Sequence, residues 1–216
     1  MDLELAQLPV LERYKLLIGL VIPRPIAWVS TWSENGVANC APFSFFNVIS
    51  EDPPLCIISF NWRSDREIKH TLKNIRRTGE FVVNLADEGT ANAMHLSGTE
   101  LPEAESEFAK FGLTPVPAKM VKHPRIAEAA ASLECRVERR IEFGPERELV
   151  IGEIRHRGGR GHLLQRGYRP GAEPQEDDVQ LRRAPAPGAL PPDRRARGRR
   201  SNAREPGSLV FCGFNS

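Results

Sequence analysis

A series of short runs rich in β-forming residues, each ended by turn residues, is the feature that most restricts how this chain can fold. Residues 26–32 form one such run, Ser33-Glu34-Asn35-Gly36 follows it, and residues 37–41 form the next. An Asn-Gly pair between two such runs is the strongest local signal for a β-hairpin, so these residues predict a strand, a tight turn and a second strand. Further strands are expected at residues 43–49, 55–60, 81–85, 133–143 and 148–154.

Few helices are expected between these strands. Apolar side chains in residues 8–20 have the spacing of a short helix or of a leader segment packed on the sheet. Ser64 followed by Glu67 is typical of a capping box, and a helix with Ile68, Leu72 and Ile75 on its inner face is expected to follow. Residues 87–97 and 124–131 are also expected to be helical. About six short strands with single helices between them favour an antiparallel Greek-key barrel over a doubly wound sheet.

The pattern of strands and helices ends after Ile154. Residues 1–154 carry 17 basic and 22 acidic residues, whereas residues 155–216 carry 13 Arg, no Lys and 6 acidic residues. The second segment has no sustained period of 2 or 3.6, so we expect a domain at 1–154 and a disordered or frame-shifted tail at 155–216. Two origins for the tail are open. It is either a functional basic tail or the product of a wrong reading frame, since Arg, Gly, Pro and Ala all have GC-rich codons.

Other features bound the location and the chemistry. The longest apolar run, residues 16–22, is far shorter than the ~20 residues of a membrane helix, and no basic n-region of a signal peptide precedes it. A cytoplasmic protein without membrane contact is therefore expected. No Cys-x-x-Cys pair occurs among the four cysteines, which are Cys40, Cys56, Cys135 and Cys212. Buried free thiols are expected, and no metal site. No Gly-x-Gly-x-x-Gly follows any strand, which argues against a Rossmann domain.

Several motifs occur in a fixed order between residues 10 and 154. They include Pro23-Arg24-Pro25-Ile26-Ala27-Trp28-Val29-Ser30-Thr31, Gly36-Val37-Ala38-Asn39, Ala41-Pro42-Phe43-Ser44-Phe45-Phe46, Thr78-Gly79-Glu80-Phe81-Val82-Val83-Asn84, Ser106-Glu107-Phe108 and Leu149-Val150-Ile151-Gly152-Glu153. Each alone is a weak signal. As a colinear series they resemble the flavin-reductase-like, FMN-binding split-barrel family, of the NAD(P)H:FMN oxidoreductase and flavoredoxin type.

The resemblance implies a fold and a function. The fold would be an FMN-binding split β-barrel, mainly antiparallel β with peripheral helices. The function would be that of an NAD(P)H-dependent FMN reductase, with FMN as cofactor and NADH or NADPH as electron donor. A homodimer and a partner monooxygenase are implied as well. Because hydride passes directly between the two cofactors, no catalytic side chain is expected.

Three segments are expected to contact FMN. Ser30 and Thr31 supply hydroxyls, which relatives place near the flavin. The segment with Asn39, Ala41, Pro42, Phe43 and Ser44 lies along the isoalloxazine ring in relatives, and Pro42 lacks an N–H, which leaves neighbouring backbone groups free to face a ligand. At the expected helix start, a phosphate site is formed by Arg63, Ser64, Lys69 and Thr71, because a helix N-terminus with cations and hydroxyls favours phosphate. His70 departs from the family, where Asp is common at this position.

Structural alternatives exist for each segment: ordinary strand hydroxyls, an edge bulge and a solvated helix start. Two other functions are also open. An FMN-binding electron carrier would lack nicotinamide activity, and steady-state oxidation of NADH and NADPH with free FMN would reveal this. A nucleic-acid-binding protein acting through the Arg-rich tail would show salt-sensitive DNA binding that is lost on removing residues 155–216.

Overall fold

The computed structural model describes residues 2–159. Residues 160–216, which make up most of the expected tail and include Cys212, lie outside the described residues, so the prediction of disorder there stays a prediction. A single 3-10 turn at Leu5–Gln7 precedes the first helix. The elements that follow are α1 (Val10–Leu20), β1 (Ala27–Trp32), β2 (Ala38–Phe43), β3 (Phe46–Glu51), β4 (Pro54–Asn61), α2 (His70–Thr78), β5 (Glu80–Leu85), α3 (Ala91–Leu96), α4 (Glu107–Lys110), β6 (Pro115–Val116), β7 (Arg125–Ile126), β8 (Ala131–Glu142) and β9 (Arg147–Gly159).

Seven of the strands form one antiparallel sheet in the order β2-β1-β5-β8-β9-β4-β3. The first and last strands of this order are joined by only two residues, Ser44 and Phe45. Such a link spans at most about 11 Å from Phe43 to Phe46, whereas the edges of a flat seven-stranded sheet would lie about 29 Å apart. The sheet must therefore curl until its two edges meet. The result is a barrel with a seam between β2 and β3, two strands that do not pair with each other within residues 2–159.

The hairpin predicted around Asn35-Gly36 is confirmed. β1 pairs with β2 from Ala27 opposite Phe43 to Trp32 opposite Ala38. Gly36 has a φ of 75°, in the left-handed region that favours glycine, and it closes the turn between the two strands. Pro42 lies within β2, opposite Trp28. Because β2 is at the sheet edge, the missing N–H of Pro42 can face outward without breaking the ladder.

Alternate residues of the strands supply two apolar clusters on opposite faces of the sheet. Ala27 and Val29 of β1 belong to the barrel interior, and the intervening Trp28 belongs to the outer cluster. The interior cluster is completed by Phe43, Phe46, Cys56, Ile58, Phe60, Leu72, Ile75, Phe81, Val83, Cys135 and Val150. The outer cluster joins α3 and α4 to the sheet through Met94 and Phe108. Cys40, Cys56 and Cys135 are buried free thiols, as predicted.

His123 is a buried histidine that ties the end of β1 to α2. Its side chain is 1% exposed. Nδ1 accepts a hydrogen bond from the backbone N–H of Trp32 at 2.8 Å. The neutral ring therefore carries its proton on Nε2, which lies 2.7 Å from Oγ1 of Thr78. Burial lowers the pKa of His123 to about 4. Both ring nitrogens are satisfied only when the imidazole is neutral.

The final hairpin is longer than the sequence predicts. β9 pairs with β8 as far as Gly159 opposite Ala131, so the strand predicted at 148–154 is too short. His156 lies in this extension, and its Nδ1 is 3.1 Å from the buried carboxylate of Glu134. That carboxylate also accepts two backbone hydrogen bonds, from Lys119 and Met120. A domain end at Ile154 would cut through this paired strand.

The helix predicted at residues 124–131 is wrong. This segment contains β7 and a turn, and tertiary hydrogen bonds outweigh its local helix preference. The backbone N–H of Ile126 donates to Oδ1 of Asn84 at 2.9 Å, and the carbonyl of Pro124 accepts from the hydroxyl of Ser30. α3 is also shorter than the predicted 87–97. None of the helices in residues 2–159 has the length and apolar character needed to span a bilayer.

Candidate functional site

An open cleft lies between β2, the segment that leads into α2 and the turn that follows α3. Five of the residues predicted to contact the cofactor line this cleft: Asn39, Ala41, Arg63, Lys69 and Thr71. The remainder of the lining is His70, Ser97, Gly98, Thr99, Glu100, Leu101 and Glu107. Segments distant in the sequence therefore meet at one concave surface, which is where ligands usually bind.

The segment before α2 is a turn, not the capped helix start that the sequence predicts. Oδ1 of Asp65 accepts from the backbone N–H of Glu67 at 3.0 Å, which closes an Asx-type turn. Arg66 has a φ of 69°, in the left-handed region, which no helical residue adopts. α2 begins at His70, with Lys69 in the N-cap position. Of the four residues assigned to the helix start, only Thr71 lies within the helix.

Three basic side chains nevertheless converge at the N-terminus of α2. Nη1 of Arg63 lies 3.2 Å from Nε2 of His70 and also donates to the carbonyl of Leu101 at 3.2 Å. Burial lowers the pKa of His70, and the Arg63 guanidinium lowers it further. Burial also lowers the pKa of Lys69, against the opposing charge of Glu100. The first amides of a helix have no intrahelical acceptor, so they add to the positive potential at this end of the cleft.

Glu100 places a carboxylate among these groups. Its Oε1 accepts from the backbone N–H of Ser64 at 3.2 Å, and its Oε2 accepts from the Ser64 hydroxyl at 2.7 Å. Nζ of Lys69 lies 3.7 Å from Oε1 of the same side chain. Burial raises the pKa of Glu100, but the hydrogen bonds from Ser64 and the charge of Lys69 outweigh this effect, and the pKa lies below its usual value.

The wall of the cleft behind these charges is a buried network of polar side chains. Oδ1 of Asn39 accepts from Thr71 at 2.9 Å and from Thr31 at 3.2 Å. Nδ2 of Asn39 donates to Oε2 of Glu107 at 3.0 Å, and the same oxygen accepts from the backbone N–H of Cys40 at 3.2 Å. Asn74 donates to the Thr31 hydroxyl at 3.0 Å. These bonds fix β1, β2 and α2 relative to one another. Burial raises the pKa of Glu107, which is 3% exposed.

Ser30 lies outside the cleft. It is fully buried in the sheet, where its hydroxyl donates to the carbonyl of Pro124 and accepts from Nδ2 of Asn84 at 2.9 Å. Thr31 is also buried, and it reaches the cleft only through its bond to Asn39. In this arrangement both hydroxyls are engaged within the protein, and the geometry gives no support to a direct contact with a cofactor.

The second half of β2 leads from the cleft to the seam. Ala41 lines the cleft, and Pro42 is half-buried beside it. Phe43 points into the barrel, where its ring packs edge-on against Phe60 with centroids 4.6 Å apart. Ser44 lies in the bend between β2 and β3 and is half-buried. Of this predicted segment, Asn39 and Ala41 therefore line the same cleft as Arg63 and Lys69, whereas Phe43 belongs to the core.

The chemistry of these groups suits an anionic ligand. Arg63, Lys69 and Ser64 are the types of donor that bind phosphate. Arg63 and Lys69 line the cleft together with residues of the edge strand β2, whereas Ser64 is outside the lining and is bonded to it through Glu100. Within residues 2–159, no group of three or more His, Cys, Asp or Glu side chains is arranged to hold a metal ion. Seven lining residues were not predicted as site residues, and two of them, Glu100 and Glu107, are carboxylates. Glu107 sits in a motif of the family resemblance, but no local pattern marks Glu100.

Comparison with known proteins agrees with this fold. An uncharacterized protein of Aquifex aeolicus is 50% identical over 140 residues, which cover 65% of this chain and 71% of that relative. The structure of nitrilotriacetate monooxygenase component B from Bacillus cereus matches with a TM-score of 0.74 and 34% identity, over 78% of this chain and 85% of that one. The 2-nitrobenzoate 2-nitroreductase of Pseudomonas fluorescens matches with a TM-score of 0.69 and 36% identity, over 76% of this chain and 78% of that one.

These matches confirm the predicted split-barrel fold, mainly antiparallel β with few helices. Residues 19–172 match the flavin reductase like domain, a range that contains β1 to β9 and every side chain that lines the cleft. The chain therefore belongs to the flavin reductase like domain family.

Proposed function

We propose that this protein is an NAD(P)H-dependent FMN reductase that binds FMN in the cleft beside α2. The observation that carries the proposal is that Arg63 and Lys69 line a cleft bordered by the edge strand β2, with Ser64 bonded to Glu100 of the same lining. A phosphate dianion is matched by two cations, a hydroxyl and the positive end of a helix dipole. Membership of the flavin reductase like domain family supports a flavin as the ligand.

FMN would be held by two parts of the chain. Arg63, Ser64 and Lys69 would bind the phosphate, with Thr71 behind them. β2 is an edge strand of the sheet, and those backbone groups on its outer side that are not already bonded would bond the polar edge of the ring; the N–H of Cys40 is not among them, because it donates to Glu107. Asn39 would act indirectly in this scheme, because both ends of its amide are already bonded within the protein.

When bound, a flavin would supply the redox chemistry, as the acceptor of hydride from a nicotinamide. The protein's task would be to hold the ring and to orient it, and the network around Asn39 supports this role because it fixes β2 against α2. A side chain that donates or abstracts a proton is not required for hydride transfer itself.

We predict that the purified protein, reconstituted with flavin, binds FMN more tightly than FAD. The phosphate donors suit a terminal monophosphate, and the sequence lacks the fingerprint that binds an adenine dinucleotide. Titration of each flavin, followed by quenching of flavin fluorescence, measures both affinities. Equal or tighter binding of FAD would contradict the assignment of the phosphate site.

Oxidation of NADH and NADPH in the presence of FMN tests the reductase activity. Steady-state consumption of either nucleotide supports the proposal. An FMN-binding protein that oxidises neither would be an electron carrier, the alternative class. The name of the Bacillus cereus structure, a monooxygenase component, favours a flavin-dependent monooxygenase as the acceptor, and we propose such a partner for this chain.

We also propose a homodimer formed through α1 and β3. α1 buries none of its side chains, and Val10 and Leu20 are 67% and 70% exposed. The ring of Tyr14 contacts Phe45, 6.2 Å between centroids, which ties α1 to the link between β2 and β3. β3 itself exposes Val48, and exposed apolar side chains of this kind often mark a protein interface.

Replacing Leu20 by Glu is expected to convert the dimer to a monomer, because a carboxylate would be buried at the interface without a partner. Light scattering coupled to gel filtration measures the molar mass. Leu96→Glu, at an exposed leucine of α3, is the matched control and should leave the dimer intact. A wild-type protein with the mass of one chain would refute the proposed dimer.

A further inference from the structure

The Glu100 carboxylate interacts with the same donor groups that the proposed phosphate site needs. Ser64 donates both its backbone N–H and its hydroxyl to this side chain, and the Lys69 ammonium lies 3.7 Å from it. Glu100 lies in the irregular segment between α3 and α4, and its side chain is 33% exposed. It is therefore held by these donors and is free on its other side to turn toward solvent.

We propose that Glu100 is a built-in competitor for the phosphate of the flavin, which keeps FMN exchangeable. The inference rests on the proposed function, since it assigns the same donors to the ligand. Ser64 cannot give its two hydrogen bonds to a carboxylate and to a phosphate at once. Two anions beside the same ammonium would also repel each other, so the phosphate enters as the Glu100 carboxylate moves away from Ser64 and Lys69.

The charge balance of the cleft supports this exchange. Arg63 and Lys69 are the fixed cations, His70 lies against Arg63, and Glu100 and Glu107 are the carboxylates that line the cleft. Glu107 is buried and bonded to Asn39 and Cys40, so it stays in place. Glu100 is the lining carboxylate that is bonded to Ser64 and lies beside Lys69, whereas Asp65 pairs with Arg63 at 3.2 Å from outside the lining. FMN must displace Glu100 when it binds, and this reduces the affinity for FMN. Riboflavin has no phosphate, so its affinity is not reduced.

Glu100→Gln tests the proposal, because it removes the charge and keeps the size of the side chain. FMN affinity, measured by fluorescence quenching, is expected to rise by about tenfold, while riboflavin affinity stays unchanged. Glu103→Gln is the matched control. Glu103 lies in the same segment but pairs with Lys73, at 2.7 Å, outside the cleft lining, so both flavins should bind as in the wild type.

A Glu100→Gln variant that binds FMN no better than Glu103→Gln does, or more weakly than the wild type, would overturn the proposal. Glu100→Ala provides a second test, since it removes the side chain's hydrogen bonds as well as its charge and should also bind FMN more tightly.

Inorganic phosphate is the probe that separates this proposal from the proposed function. If no variant binds either flavin, the proposed function fails. Greater thermal stabilisation of Glu100→Gln by phosphate than of Glu103→Gln would still support Glu100 as the competing anion, and equal stabilisation would refute it.

Discussion

Replacing Lys69 by Ala is expected to weaken FMN binding by roughly 10- to 100-fold and to leave riboflavin binding unchanged. The lost interaction is a charge-assisted hydrogen bond to phosphate, worth ~1.5–3 kcal/mol, and riboflavin has no phosphate to lose it from. Lys69 is half-buried in the cleft, with its ammonium beside Glu100 and near Ser64. Titration of both flavins, followed by fluorescence quenching, gives the two dissociation constants.

Lys73→Ala is the matched control for this experiment. Lys73 lies on the same helix, but its ammonium pairs with Glu103 at 2.7 Å and is not part of the cleft lining. The Lys73→Ala variant should therefore bind FMN with nearly the affinity of the wild type. If Lys69→Ala weakens FMN and riboflavin equally, Lys69 supports the structure of the cleft and does not hold the phosphate.

Acidification from pH 7 to pH 4 is expected to lower the free energy of unfolding by about 3 kcal/mol through His123 alone. The unfolded histidine takes up a proton near pH 6.5, whereas the folded one, with a pKa of about 4, does so only as the pH approaches 4. Between these values the unfolded state binds more protons, so stability falls as the pH falls. The difference between 6.5 and 4 corresponds to about 3 kcal/mol at 1.36 kcal/mol per pH unit.

Urea unfolding of the wild type and of His123→Asn, at several pH values between 4 and 7, isolates this contribution. The Asn side chain can keep the acceptor for the Trp32 N–H but has no group that titrates in this range. The variant should be less stable at pH 7 and should lose about 3 kcal/mol less than the wild type on acidification. Parallel pH profiles for the two proteins would show that His123 is not the group responsible.

The strands of the barrel could be predicted because their signals are local. Alternating β-formers and the Asn35-Gly36 turn specify the first hairpin without reference to the rest of the chain. The same reasoning fails where contacts with residues distant in the sequence determine the local conformation. Residues 124–131 look helical, but Asn84 and Ser30 bind the backbone of this segment in another conformation. Ser64 looks like a helix cap, but its hydroxyl is bonded to Glu100, 36 positions away.

The candidate site was predictable only in part, for the same reason. Arg63, Lys69 and Thr71 lie in one stretch of sequence, and the structure brings them to one cleft with Asn39 and Ala41. Whether a hydroxyl faces a ligand or the protein depends on its neighbours in space. Ser30 and Thr31 sit on β1 as predicted, yet their bonds to Asn84, Asn39 and Asn74 hold them inside the protein. Glu100 carries no signal in the sequence because its partners come from a different segment.

The seam between β2 and β3 gives this architecture a simple route for evolutionary change. In residues 2–159, each strand of the main sheet pairs with its neighbours in the order β2-β1-β5-β8-β9-β4-β3, and the two end strands, β2 and β3, do not pair with each other. An insertion or deletion at Ser44–Phe45 can therefore widen or narrow the opening without shifting the register of any strand. The core and the seam can thus diverge at different rates.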